Sequence, residues 1–501
     1  MAVVVTSGAG VGVPRLAKPN VVVIGGGVGG LTIATRLADS GHCVTVLERR
    51  DQVGGKLAVV HRDGFTFDIG PSLLTLPQVF DQRVLDQLTL VRLDPQFRYR
   101  WADGHEMTMT DPHGLQGFGS TSTGPDSPVS QPATADADLA RFRQRGKRIW
   151  EISERTFLAG PMGVRALRRM RSPRELLTID PFHTLAQVAE KDFDDPRMVQ
   201  WAGRYATYSG SSPYRAPATL SCIAHIEAEY GCWYAQGGLG SLRDAVRNVA
   251  VQAGVTIVTG ADVQRITTAD RRVNGVEFTH QSSVTKLEAG IVVANCDAEV
   301  LYRDLLPLPK ALRRVRRAER STSGFAICAA VSGQTPGIAH HNVWFSTDYR
   351  SEFDTLDSGQ LAADPTIYAC ISSVSDDSQA PAGHENWFIL VNTPPGVTVD
   401  AEQYQQIVLD RLAEHGTDLR QRLLFTETMT PADIQARYGS LGGALYGSSS
   451  NGRRAAFLRP SNRGAIPGLY LVGGSSHPGG GLPMVTISAR IVADMIRQDV
   501  S

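Results

Sequence analysis

At 501 residues, 42% of them hydrophobic, the chain can bury more core than one ordinary domain holds. Its 50 basic and 50 acidic residues cancel, which argues against a nucleic-acid-binding protein and leaves no global charge to recruit one. Six cysteines with no C-x-x-C pair and no His/Cys metal spacing argue against a disulfide scaffold or a metal centre, and no apolar run reaches the roughly 18 residues a membrane-spanning helix needs.

Residues 1–19 lack a basic start followed by a long apolar core, so they read as a flexible lead-in rather than a signal peptide. With cysteines that read as buried free thiols, this predicts a cytoplasmic protein. Val21–Ile24 is a short apolar run of the kind a buried parallel strand requires. A helix is expected over Leu31–Leu37, ended by Gly41, and a second strand over Val44–Leu47. Together they make a β-α-β unit.

Between strand and helix stands Gly25-Gly26-Gly27-Val28-Gly29-Gly30, a G-x-G-x-x-G hexad. Gly25 permits the tight turn, Gly27 and Gly29 sit where backbone meets a pyrophosphate, and Gly30 lets helix pack on strand. The helix N-terminus offers free N–H groups to phosphate. Glu48, ending the second strand, can accept both hydroxyls of a ribose. It would repel a 2′-phosphate, so NADP is not expected. Arg49 and Arg50 face either phosphate or solvent. Gly54-Gly55-Lys56 then places two small residues and a cation close behind.

Further on, Gly117–Ala137 is rich in Ser, Thr, Pro and Gly and predicts a flexible loop within 112–138. A mostly helical stretch broken by prolines follows, from Leu139 to Glu190. Gly237–Gly240 opens a new α/β region. Ser241 is expected to cap a helix over Leu242–Ala253, Val255–Val258 and Ile291–Ala294 to be strands, and Asn274-Gly275 to make a hairpin turn. Leu301–Gly452 mixes elements without a motif. Leu469–Val472 is a strand, and Pro483–Ile496 a helix whose proline suits the first turn. Basic clusters at Arg165–Arg174 and Arg313–Arg320 read either as solvated helix faces or as contacts with anionic lipid.

Several strings in this order carry a resemblance. Gly54-Gly55-Lys56, Phe65-Thr66-Phe67-Asp68-Ile69-Gly70-Pro71-Ser72, YATYSGSSPYRAPATLSCIAH from Tyr205, Trp233–Gly238 and GLYLVGGSSHPGGGLPM from Gly468 together resemble the bacterial-type carotenoid (phytoene) desaturases among FAD-dependent oxidoreductases. Lys56 stands where the family more often has Arg. The strings YATYSGSSPY, GGALYG and HPGGGLPM lean toward the branch acting on later acyclic or hydroxylated carotenoids.

The resemblance implies an α/β fold. A discontinuous Rossmann-like FAD-binding domain would use 20–111, 231–297 and 458–496, and an α+β substrate domain 139–230 and 298–457, with an apolar tunnel. It implies FAD contacts at Gly25, Gly27, Gly29, Gly30, Glu48, Arg49, Gly54, Gly55, Lys56, Gly70, Pro71, Ser72, Val263, Gly473, Gly474, Ser475, Pro483 and Met484. His477 would lie near the flavin, as a base or as a loop fastener. Asp68 would orient the Gly70-Pro71 turn. Glu227 and Glu229 read as helix-surface carboxylates. The implied reaction is desaturation of an apolar polyene at a membrane surface, with oxygen or a quinone taking the electrons. A carotenoid isomerase, an amine oxidase and a non-catalytic FAD-containing membrane protein are the rival readings.

Overall fold

The computed structural model describes residues 18–110, 114–116 and 132–500. The expected lead-in therefore lies almost wholly outside the described residues, as does 117–131 of the expected loop. Within 112–138, Gly114–Gln116 forms a strand, and a helix runs from Pro132 to Thr156. Proline is compatible with that start because its missing N–H would have no helical partner.

A five-stranded parallel sheet carries the first motif. Its order is Thr256–Val258, Val44–Leu47, Val21–Ile24, Ile291–Ala294, Leu469–Leu471. Val21 pairs with Val44 on one side and Ile291 on the other, and Val292 pairs with Leu469. The Val21 and Ile291 strands are buried at every position, as their unbroken apolar runs require. Helices Val28–Asp39, Leu239–Gln252 and Leu482–Val500 pack one face with Leu31, Leu242 and Val492 in a shared core. An antiparallel sheet of Asp262–Ala269, Arg272–His280 and Ser283–Glu288 covers the other face.

A mixed eight-stranded sheet forms the second body, in the order Leu423–Met429, Ser323–Ser332, His384–Thr393, Ile367–Cys370, His341–Trp344, Phe97–Arg100, Glu106–Thr110, Gly114–Gln116. Phe97–Thr110 was expected beside the parallel sheet. It lies here instead, because Arg98 pairs in parallel with Asn342, far along the chain.

Two local expectations are corrected. The helix expected from Leu242 begins at Leu239, and Ser241 does not cap it. Its hydroxyl donates to Gly238 O, and the Asp68 carboxylate accepts from the N–H groups of Leu239 and Gly240. The hairpin turn is Asp270-Arg271, both with positive φ (49° and 59°). Asn274-Gly275 lies inside the Arg272–His280 strand, where a Cβ on Gly275 would sit 2.3 Å from Leu287 O of the next strand. Gly275 thus serves close strand approach rather than a turn. Among the described residues none of the six cysteines forms a disulfide, but only Cys232, Cys328 and Cys370 are buried, and Cys43 is exposed.

Candidate functional site

Parallel pairing brings the C-terminal ends of Val21–Ile24, Ile291–Ala294 and Leu469–Leu471 to one edge, where open α/β sheets bind ligands. The first and last glycine-rich loops meet there across Asn295. Its Nδ2 donates to Gly25 O at 3.1 Å. A Cβ on Gly27 would lie 3.1 Å from Asn295 Nδ2, one on Gly29 3.0 Å and one on Gly473 2.4 Å from Asn295 Oδ1. A Cβ on Gly30 would lie 2.1 Å from Gly25 O, so this glycine sets the helix-to-strand distance. Asn295 has no place in the motif alphabet, and only the strand order reveals its position.

Gly54 N donates to Gly26 O at 2.8 Å, which sets the Gly54-Gly55 turn against the hexad. A Cβ on Gly70 would lie 1.7 Å from Lys56 O, so the Gly70-Pro71-Ser72 segment closes over the same turn. Ser72 Oγ shares a 2.6 Å hydrogen bond with the Tyr368 hydroxyl in the large sheet. Glu48 is buried at the edge. One carboxylate oxygen accepts from Gly26 N at 2.7 Å, the other from Arg50 N at 3.0 Å. Arg49 is exposed, and Val263 is buried in the sheet beneath.

The residues present fit a dinucleotide. Lys56 Nζ donates to the carbonyls of Ala444 and Leu445 (3.1 and 2.6 Å), and desolvation lowers it to about 8. Arg459 donates to Ser448 O at 3.1 Å and Gly474 O at 3.5 Å, and burial lowers it to about 10. Among the described residues neither cation is in a direct ion pair, the Asp297 carboxylate acting on Lys56 only from a distance, so both can turn to a pyrophosphate. Helix Val28–Asp39 has no side-chain cap and no acid in its first turn, and Leu482–Val500 likewise has no acid there. Both ends can therefore receive an anion.

Other expected residues are placed in different roles. His477 is buried, and its Nε2 lies 2.9 Å from Phe157 O and 3.2 Å from Gly160 O. An Nε2–H donated to those carbonyls makes it a fastener for the loop, and burial lowers its pKa. Ser475 Oγ accepts from Ala298 N and donates to Cys296 O, so its hydroxyl secures the neighbouring strand end. Asp68 caps a helix rather than orienting the Gly70-Pro71 turn; desolvation raises its pKa to about 6. Pro483 is buried in the first turn of its helix, and Met484 packs half-buried against the shared core. Glu227, expected on a helix surface, is fully buried. It accepts from Arg204, Tyr205 and Tyr208, with aromatic rings 4.4–5.3 Å from the guanidinium carbon.

Residues 28–497 match the model of the "Flavin containing amine oxidoreductase" family. The chain belongs to this flavin-containing amine oxidoreductase family. FAD is its cofactor, and it is an FAD-dependent oxidoreductase. Among curated relatives, it is 35% identical to 4,4'-diapolycopene oxygenase of Methylomonas sp, over 96% of this chain and 98% of that protein. It is 34% identical to 4,4'-diaponeurosporene oxygenase of Staphylococcus aureus, over 95% and 98%. Among solved structures, an oxidoreductase from Methanosarcina mazei superposes with a TM-score of 0.63 at 17% identity, covering 95% of this chain and all of that one. At that identity the likeness speaks for the fold alone, and it agrees with the α/β reading.

Proposed function

We propose that this family member oxidises an acyclic carotenoid late in its biosynthesis. The observation that carries this is end-to-end identity, at 34–35%, with two proteins named for oxygenating acyclic carotenoids. Those names favour oxygen insertion over the desaturation expected from the motifs, and desaturation is kept as the second reading because the motif strings favour it. Bound FAD would supply the redox chemistry, taking or giving electrons at its ring system. The chain's own residues do the rest. Lys56, Arg459 and the two helix N-termini would hold the diphosphate, Glu48 the ribose, and the Gly54-Gly55 and Gly70–Ser72 segments would lie against the ring. In desaturation the two electrons would pass from the reduced flavin to oxygen or a quinone; in oxygen insertion the oxygen atom would come from dioxygen together with a two-electron reductant, or from water with the two electrons passing to oxygen or a quinone.

The substrate is lipid-soluble, so the chain docks on a membrane surface. Among the described residues no helix is long and apolar enough to cross one. Leu167, Leu177 and Phe182 are exposed on a stretch that also exposes Arg168, Arg171 and Arg174. Apolar and basic side chains in that mixture suit an anionic bilayer interface.

Product analysis by mass and absorbance, in a bacterial host making acyclic carotenoids, tests the reading. A product that has gained oxygen supports oxygenation. Loss of two hydrogens with a red shift moves the assignment to desaturation, and unchanged mass with a shifted spectrum moves it to isomerisation. Unchanged carotenoids despite bound FAD would leave the family and remove the substrate.

A further inference from the structure

His341 opens the strand His341–Trp344 and pairs directly opposite Cys370, which ends the strand Ile367–Cys370. Opposed residues in an antiparallel pair share one face, with Cβ atoms about 4.5–5.5 Å apart. Asn342 bends the segment before it, its Oδ1 accepting from Ala339 N and its Nδ2 donating to Ala339 O. His340 lies in that bend, its ring centroid 4.6 Å from that of His341. One donor atom from each of His340, His341 and Cys370 falls within 4.8 Å of the other two. All three residues are buried, at 3%, 0% and 7% exposure.

Each imidazole uses one nitrogen only. His340 Nδ1 bonds Ser375 Oγ at 3.0 Å, and His341 Nδ1 bonds the Tyr368 hydroxyl at 2.9 Å. Both Nε2 atoms are buried without a partner. A buried polar atom left unpaired costs about 1–3 kcal/mol, and here each of two neighbouring rings carries one. An Nδ1–H held by an oxygen, with Nε2 left as the lone pair, is the arrangement of a metal-ligating histidine. Tyr368 precedes Cys370 by two residues on the same strand, so the residue that holds His341 shares a face with the thiol. Burial raises the Cys370 thiol, so a bound cation would have to displace its proton.

Coordination number selects the ion. Two imidazoles and one thiolate make three ligands, and zinc would want a fourth. The nearby carboxylate oxygens are taken by their own donors, Asp68 by Leu239 N and Gly240 N, Asp376 by Tyr234, Gly237 N and Ser378, so among the described residues they do not complete a tetrahedral set. Thiolate with imidazole suits soft copper(I). We propose that His340, His341 and Cys370 form a buried three-coordinate site for copper(I). Two adjacent histidines and a cysteine thirty residues later match no metal motif, so only the strand register brings them together.

The test is independent of carotenoid turnover. FAD-loaded protein is titrated anaerobically with copper(I) against a chromophoric chelator, and X-ray absorption reads the ligand set. One equivalent per chain with two nitrogens and one sulfur is expected. Cys370→Ser should abolish retention. Ser375→Ala, which removes the hydroxyl bonded to His340 Nδ1, should weaken it roughly 10–100-fold while flavin content and thermal midpoint stay unchanged. Failure to retain copper(I), as with a buried water only, overturns the site. So does retention undiminished in both variants, or stoichiometric zinc binding at these residues in place of copper(I).

Discussion

Glu48 does two jobs with one carboxylate, and they can be separated. Its oxygens accept from Gly26 N and Arg50 N, which fixes the turn, and on the proposed reading its remaining lone pairs would accept from a ribose. Glu48→Gln keeps the size but removes the charge and turns an amide toward one of those N–H groups. A charge-assisted hydrogen bond contributes about 1.5–3 kcal/mol, so FAD affinity should fall roughly 10–100-fold, as read by equilibrium dialysis. An unchanged Kd would place the ribose elsewhere. Glu352 is a different kind of buried acid. One oxygen accepts from Ser346 Oγ and Thr366 Oγ1, each at 2.7 Å, and the other has no partner. Desolvation raises it from 4.5 to about 7. Between those values the folded chain holds a proton that the unfolded chain has released, so this group's contribution to stability falls as pH rises through the window and stays lost above it. Glu352→Gln should therefore stabilise the protein above about pH 7, by on the order of 2–3 kcal/mol, and do little near pH 4. Thermal midpoints measured across that range check the sign, and an equal shift at both ends would contradict it.

Elements were legible where a local rule decided them. The hexad, its flanking strands and the C-terminal glycine loop could be read because turn, helix start and strand follow one another within a few residues. Elements were illegible where the deciding partner is distant. Asp68 caps a helix 171 residues later, and Gly275 is a glycine because Leu287 O of the next strand leaves no space for a side chain. Asn295 was missed for the same reason, since strand order alone places it between the two glycine loops. The glycines therefore predict a graded series. Gly30→Ala directs its methyl at a backbone oxygen 2.1 Å away, so helix and strand must separate, costing on the order of 3 kcal/mol and most of the bound flavin. Gly27→Ala meets the Asn295 side chain at 3.1 Å, which can yield. That variant should fold near the parent midpoint but bind FAD more weakly. Thermal melts paired with flavin absorbance per chain separate the two, and equal effects would remove the packing argument for Gly30.

At the scale of the molecule the chain enters the parallel sheet three times and builds the large sheet from the segments between. Composition could foresee two bodies, but not that Phe97–Arg100 would join a strand near residue 342. The same interleaving sets the helical stretch after residue 132 beside the large sheet, through Phe142, Trp201 and Phe345 in one core. That stretch carries the exposed Leu167, Leu177 and Phe182 together with exposed arginines. The second basic cluster is less available, because Arg316 and Arg320 are paired with Glu299 and Asp297. The proposed docking is therefore placed on the 167–182 face. Leu177 and Phe182 lie at 65% and 48% exposure, so replacing them removes little packing from the fold. Leu177→Asp with Phe182→Ser should lower partition onto anionic vesicles by roughly tenfold per residue, the apolar area each side chain can bury being the cause. Salt should weaken the parent's binding, because the arginines act through a screened potential. Vesicle flotation reads both effects. A double variant that floats as the parent does, at low salt and with its flavin intact, would move the membrane contact to another face of the protein.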